Sequence, residues 1–275
     1  MTTQQEKALL FRSLHNPSAP LALANVWDAA SARLVQQAGA PAVATTSAGV
    51  AWGLGAADGD VLGRDEAIAL IARVTAAVDV PVTADIESGF GATPAEVAET
   101  VGGVLAAGAV GVNLEDGLRD RTAPLREVAE QAERLAAARS AADAVGVDLY
   151  LNARIDTYLR GVGAPETRLQ ETLARASAYL AAGATGVFVP GVADPVTIAA
   201  LAELIPAPLN VLVHPGSPSV PELAKLGVAR ASLGSAVAEA AYAVVRRAAQ
   251  ELAATGTYDS VSEALAYGDL NSLMR

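Results

Sequence analysis

Eight short β-branched runs, each separated from the next by an Ala-rich amphipathic stretch, constrain this chain more than any other feature of its sequence. The runs are "LALANV" (21–26), "AVATTS" (42–47), "PVTADI" (81–86), "GVNLED" (111–116), "DLYLNARID" (148–156), "GVFVPG" (186–191), "PLNVLV" (208–213) and "VARASLG" (228–234). Strands that are apolar on both faces need helices outside and side chains inside, which a parallel sheet with crossover helices supplies. Helices are expected over 65–78, 94–107, 124–145, 165–182 and 194–203, several opened by Asp, Thr or Pro and closed by Gly. No linker or compositional break divides the 275 residues. The units therefore read as one α/β domain, a (β/α)8 TIM-type barrel, with a doubly wound open sheet as the alternative. Residues 235–275 add C-terminal helices, a long Ala-rich one over 235–254 and a shorter amphipathic one. They exceed what a barrel needs, and either cover a barrel end or pack on a partner subunit.

Composition excludes several classes of function. A formal net charge of -11, without any Lys/Arg cluster, repels a phosphate backbone, so nucleic acid is not an expected partner. Disulfides, thiolate metal sites and a thiol base are excluded by the absence of cysteine. The start, "MTTQQEKALL FRSLHN", lacks an apolar signal region, and no uninterrupted apolar stretch is long enough to span a bilayer. No membrane association is expected, and the cytoplasm is the expected location.

Barrel enzymes carry their chemistry at the carboxyl ends of the strands, and those ends are unusually polar here. They hold Asn25 and Asp28 around Trp27, then Thr45, Thr46 and Ser47, then Asp85 and Glu87. Further along come Asn113, Glu115 and Asp116, then Asn152, Arg154 and Asp156, and finally His214. Asp58 lies in the Gly-rich loop "GLGAADGDVLG", and Arg119, Asp120 and Arg121 lie in the loop after the fourth strand. Carboxylates converging on one rim repel one another and cost free energy to desolvate unless a cation lies among them. The donors are all oxygen, which favours Mg2+, or Mn2+, over zinc. Alternatively, Asp85 caps the following turn and Glu87 is solvated.

Taken in order, "AADGD", "ADIESGFG", "VNLEDG" and "NARIDTY", preceded by "LALANVWDAASARLVQQAGAPAVATTSAG", resemble the isocitrate lyase and phosphoenolpyruvate mutase superfamily. The resemblance spans about residues 20 to 245. It implies an Mg2+-dependent barrel that makes or breaks a C–C or C–P bond beside an α-oxo acid through a metal-bound enolate. It also implies a homo-oligomer, dimer or tetramer, in which C-terminal helices are exchanged. Position by position, Asp85 would be the direct metal ligand, with Asp58, Glu87 and Glu115 holding metal-bound waters. Thr46, Ser47 and Ala48 would hold the substrate carboxylate, Arg154 its oxo or carboxylate oxygens, and Trp27 and Asp28 would flank the pocket. An ion pair of Arg154 with Glu115 or Asp156 is the structural alternative for that residue.

Three departures narrow the chemistry. Glu87 stands where the family usually has Asp. The loop "EDGLRDRTAPLR" carries neither the Lys-Arg-Cys-Gly-His type motif of the lyases nor the Lys and Asn-Ser of the mutases, and the chain's only lysines are Lys7 and Lys225. "FVPG" stands where tricarboxylate lyases keep a glutamate. Arg119, Arg121, Asp120 or His214 would then supply the charge or proton transfer, although a lone His before Pro-Gly also reads as a loop residue bonded to backbone. The leading reading is a Mg2+-dependent lyase acting on a 2-hydroxy di- or tricarboxylate of the isocitrate or 2-methylisocitrate type. The alternatives are hydrolysis of oxaloacetate or phosphonopyruvate, phosphonomutase chemistry, and a non-catalytic binding protein for an α-oxo dicarboxylate.

Overall fold

Each of the eight runs forms a parallel strand in the computed structural model, which describes residues 2–118 and 124–275. The strands are β1 (Leu21–Leu23), β2 (Val43–Ala44), β3 (Val82–Asp85), β4 (Gly111–Glu115), β5 (Tyr150–Arg154), β6 (Gly186–Val189), β7 (Leu209–Leu212) and β8 (Arg230–Ser232). Their order, β1-β8-β7-β6-β5-β4-β3-β2, leaves a single gap between β1 and β2. One bridge spans that seam: Val26 N donates to Ala44 O at 2.8 Å, and Thr46 N to Val26 O at 2.9 Å. The sheet is thus a nearly closed barrel, and the open-sheet alternative falls.

Helices surround it as the crossover rule requires. The first six are α1 (Gln4–Ser13), α2 (Ala29–Gln37), α3 (Ser47–Gly53), α4 (Arg64–Ala77), α5 (Pro94–Ala106) and α6 (Val128–Ala144). They are followed by α7 (Pro165–Ala181), α8 (Pro195–Leu204), α9 (Val220–Lys225), α10 (Ala236–Thr255) and α11 (Tyr267–Leu273). Cap chemistry sets several starts. Thr93 and Glu96 form a capping box ahead of Pro94, and Asp194 accepts from Thr197 N ahead of Pro195. No helix among the described residues is long and apolar enough to cross a membrane.

The floor of the barrel is closed by α1, an element that the strand and helix alternation does not reveal. Phe11 is fully buried and meets Tyr150 edge-on at 5.5 Å, and His15 stacks on the same ring at 3.8 Å. Room for Phe11 depends on Gly111, where a Cβ would lie 2.9 Å from its ring. Burial, reinforced by the nearby Arg230 guanidinium, pushes the His15 imidazole down to about 3, although its bond to Phe11 O favours the proton.

His15 is therefore neutral in the fold and takes up a proton near its ordinary value only when unfolded. Its contribution is complete above about pH 6.5 and is lost as pH falls toward 3. Lowering the pH from 7.5 to 5.0 should cost roughly 2 kcal/mol through this group alone. Urea titrations at the two pH values should show a drop smaller by that amount in His15→Gln. Equal drops in both proteins would refute the assignment.

Candidate active site

At the carboxyl ends of the strands lies a cavity of about 330 Å³. Thr46, Ser47 and Ala48 line one part of it, Asp58 and Asp85 another, and Asn113, Arg154 and His214 complete its polar surface. The parallel register brings these groups together, because β3 pairs with β4 through Asp85 and Asn113, and β4 with β5 through Glu115 and Arg154.

Arg154 is the best-anchored side chain of the rim. Its Nη1 lies 2.5 Å from Glu115 Oε2, while Nε and Nη2 form a fork onto Asp156 at 2.7 and 3.0 Å. The Phe188 ring lies 5.9 Å from the guanidinium carbon. Burial disfavours the charge, yet Glu115, Asp156 and Asp85 together hold the guanidinium well above its ordinary value. The ion pair expected as the structural alternative is present, with both partners, and the same side chain still faces the cavity.

The carboxylates divide into two sets. Asp85 and Asp58 face the cavity, Asp85 accepting from Ser47 N at 3.2 Å and its own amide bonded to Thr45 Oγ1 at 2.9 Å. Glu87 and Glu115 are buried behind them. Glu87 accepts from Asp60 N, and Ser88 Oγ donates to Asp60 Oδ2 at 2.6 Å, which fastens the Asp58 loop to the end of β3. Burial raises the carboxyls of Asp85, Glu87 and Glu115, with Glu87 reaching about 8 under the added charges of Asp60, Asp85 and Asp58. Arg154 opposes the shift at Asp85 and Glu115. Among the described residues, no three His, Asp or Glu side chains come close enough to hold an ion unaided.

Other expected site residues have different work. Asp28 does not line the cavity; it caps α2, accepting from Ser31 N at 2.7 Å. Trp27 packs against the apolar cluster of Val50, Leu62, Ala67 and Leu70. Asp116 points away from its neighbour Glu115 and takes Tyr179 Oη at 2.8 Å, Arg175 Nη1 at 3.1 Å and Asp156 N at 2.9 Å. Thr46 N–H is used by the seam, so this amide is not available to a ligand. His214 Nδ1 lies 3.0 Å from Pro215 O, the backbone bond anticipated for a loop histidine. Arg119, Asp120 and Arg121 lie outside the described residues.

Two braces escaped the sequence reading. Fully buried Arg134 on α6 donates to Ser88 O at 2.6 Å, Gly91 O at 2.8 Å and Ala92 O at 3.1 Å. That turn contains Glu87 (φ 52°) and Phe90 (φ 49°), side-chain-bearing residues in the left-handed region. Gln131, one helical turn earlier, donates to Glu115 O at 3.1 Å. The signal was present: polar residues at 131 and 134 interrupt the buried stripe that runs through Leu135, Ala138 and Ala142.

Comparison with known proteins places this geometry. The family model described as phosphoenolpyruvate phosphomutase matches residues 11–253. An uncharacterised protein of Mycobacterium tuberculosis is 37% identical over 225 residues, covering 82% of this chain and 81% of its own. The 2-methylisocitrate lyase of Escherichia coli is 29% identical over 205 residues, covering 72% and 67%. A Burkholderia cenocepacia J2315 protein of known structure superposes with a TM-score of 0.85 at 45% identity, covering 90% of this chain and 99% of that one.

Arg134→Met removes a charged donor shared by three carbonyls, of which that of Ser88 is buried. The expected loss is on the order of 3 kcal/mol in urea unfolding. A loss below roughly 0.5 kcal/mol, the level of an ordinary surface change, would show that the turn holds its shape without the brace.

Proposed function

This chain belongs to the phosphoenolpyruvate phosphomutase family, and from that premise we propose that its rim cavity is the active site of a Mg2+-dependent carbon-carbon lyase. The substrate would be a 2-hydroxy di- or tricarboxylate of the isocitrate or 2-methylisocitrate type. The observation that carries this reading is the convergence of Asp58, Asp85, Ser47 and Arg154 on one cavity at the strand ends.

The residues fit the metal. Burial works against the ionised form of Asp85, and a divalent cation beside it reverses that balance. Oxygen donors in a chain without cysteine suit Mg2+ or Mn2+, and an ion that keeps several waters needs few direct ligands. Asp85 would hold it directly, with Asp58, Glu87 and Glu115 reached through water. When bound, the ion supplies positive charge beside the carboxylate and oxo oxygens of the ligand.

The protein's own groups do the rest. Arg154, locked by Asp156 and Glu115, presents a preoriented cation to the oxygen on which charge develops. Ser47 and Ala48 line the place expected for the ligand carboxylate. In cleavage the hydroxyl of the substrate loses its proton and the C2–C3 bond breaks. The electron pair passes to the enolate of the departing acid, and a proton returns to C3. His214 is the described candidate for proton transfer, and Arg119 and Asp120 are the candidates in the loop after β4. That loop lacks Cys, Lys and His, so it carries neither the lyase nor the mutase motif, and a second reading rests on the same enolate-stabilising groups: oxaloacetate or phosphonopyruvate hydrolysis, or phosphonomutase chemistry. A third keeps the site and loses turnover, leaving an α-oxo dicarboxylate binding protein.

The C-terminal helices enter the reading as an assembly surface. α10 buries only Ala238 and leaves Val245 and Leu252 each 63% exposed, while Ala22 on β1 is exposed between the buried Leu21 and Leu23. A second copy's α10 would cover such faces, giving a cytoplasmic homo-oligomer.

Asp85→Ala should abolish Mg2+-dependent binding of pyruvate or oxaloacetate in calorimetric titrations while the barrel stays folded by circular dichroism; retained binding would sink the metal assignment. Arg154→Lys should lower kcat/KM by about a hundredfold or more, a loss of roughly 3 kcal/mol, because a point charge cannot replace the planar fork. Light scattering should give a dimer or tetramer, and a monomer at micromolar concentration would remove α10 from any interface.

A further inference from the structure

The carboxylate that holds Arg154 is shared with a second arginine. Asp156 is fully buried, and its Oδ1 and Oδ2 take Arg154 Nε and Nη2, while Oδ2 also accepts from Arg160 Nε at 3.1 Å. Arg160 stands one turn beyond Asp156, its amide bonded to Asp156 O at 2.9 Å. Its Nη1 donates to Leu118 O at 2.6 Å and so joins the segment after β5 to the segment after β4. The backbone of that second segment closes over the contact: a Cβ on Gly117 would lie 2.6 Å from Arg160 Nη2 and 2.8 Å from Asp156 Oδ2. Arg160 does not line the cavity, and its side chain is 30% exposed.

The buried acids at these two strand ends each meet an arginine. Glu115 meets Arg154, Asp116 meets Arg175, and Asp156 lies between Arg154 and Arg160. A carboxylate that fixes a cation in place also offsets the field of that cation, and does so more strongly where water is excluded. Without Arg160, Glu115 and Asp156 would both draw on Arg154 alone, and less of its charge would reach an anion in the cavity. With Arg160 present, Asp156 keeps the Arg154 fork in place while a second positive charge offsets the carboxylate. We infer that Arg160 is a positioning residue for Arg154: it balances Asp156 from outside the cavity, so that the group which aims the Arg154 guanidinium does not also cancel it. This role rests on the reading of the cavity as an oxo-acid site and adds to it a residue that serves the anion without touching it.

Calorimetric titration of the full chain with Mg2+ alone, and with pyruvate in saturating MgCl2, separates positioning from a simple fastening of the strand ends. Arg160→Met removes the charge and keeps much of the bulk, so pyruvate should bind about tenfold more weakly. Mg2+ alone should bind that variant as well as before or more tightly, because its surroundings have become more negative; a loosened rim would weaken both ligands. Arg160→Lys keeps the charge and should hold pyruvate within about threefold of the wild type. Guanidinium ion, far below denaturing concentrations, should strengthen pyruvate binding to Arg160→Ala without strengthening that of the wild type. The role is overturned, and the oxo-acid reading left standing, if Arg160→Met binds pyruvate like the wild type, if its Mg2+ affinity falls together with its pyruvate affinity, or if guanidinium restores nothing. Should Arg160→Met fail to fold by circular dichroism, Arg160→Lys decides alone, and a tenfold loss of pyruvate affinity there, on the order expected for the lost charge, overturns the role as well. If the wild type binds no pyruvate in a Mg2+-dependent way, both readings fall together.

Discussion

One buried guanidinium holds the charge balance of the rim. Asp85, Glu115 and Asp156 all lie within reach of Arg154, and without it the buried carboxyl groups of Asp85 and Glu115 would have to take up protons or open to water. The sheet builds this arrangement by register alone. Glu115 is paired with Arg154 across β4 and β5, Phe188 with Arg154 across β5 and β6, and Asp156 follows two residues later on the same side. A slip of one residue in any of these pairings would send Arg154 to the helix side of the sheet and leave the acids uncompensated.

The helices contribute more than an apolar coat. From α6, Gln131 and Arg134 reach the backbone of the β3 and β4 ends, and from α7, Arg175 and Tyr179 reach Asp116. Each brace ends on the last residue of a strand or on the segment that follows it, where the backbone departs from regular geometry. Asp60, Glu87 and Phe90 all have positive φ, and such conformations persist only where surrounding contacts over-determine them. The cavity is therefore shaped in part by groups that do not line it.

Legibility in the sequence followed the strength of each physical signal. All eight strands could be read because a parallel barrel strand is a continuous apolar run, and Arg154 and Asp85 because polar residues at the ends of such runs have no place in a core. Asp116 was misplaced by the same logic applied too broadly. Alternation sends neighbours to opposite faces, so Glu115 and Asp116 could not both face the rim. Asp28 belongs to a cap signature, "DAAS", that local chemistry explains fully. α1 and its His15 were hidden because a short helix with weak amphipathic character reveals its role only once the barrel floor exists. The outline of the cavity was equally out of reach, since its walls come from residues as far apart as Asn25 and Glu239.

The seam between β1 and β2 ties the mechanics of the barrel to its recognition surface. Its closing bonds run through Val26 and Thr46, and Thr46 and Ser47 also line the cavity, with Ser47 N bonded to Asp85. Parting the seam would displace this dipeptide, and a ligand held there, as proposed, would resist the parting. By thermodynamic reciprocity the two effects are equal in free energy. Breathing of the barrel wall and occupancy of its mouth are then one equilibrium seen from two ends, so the seam amides report on ligand from outside the pocket.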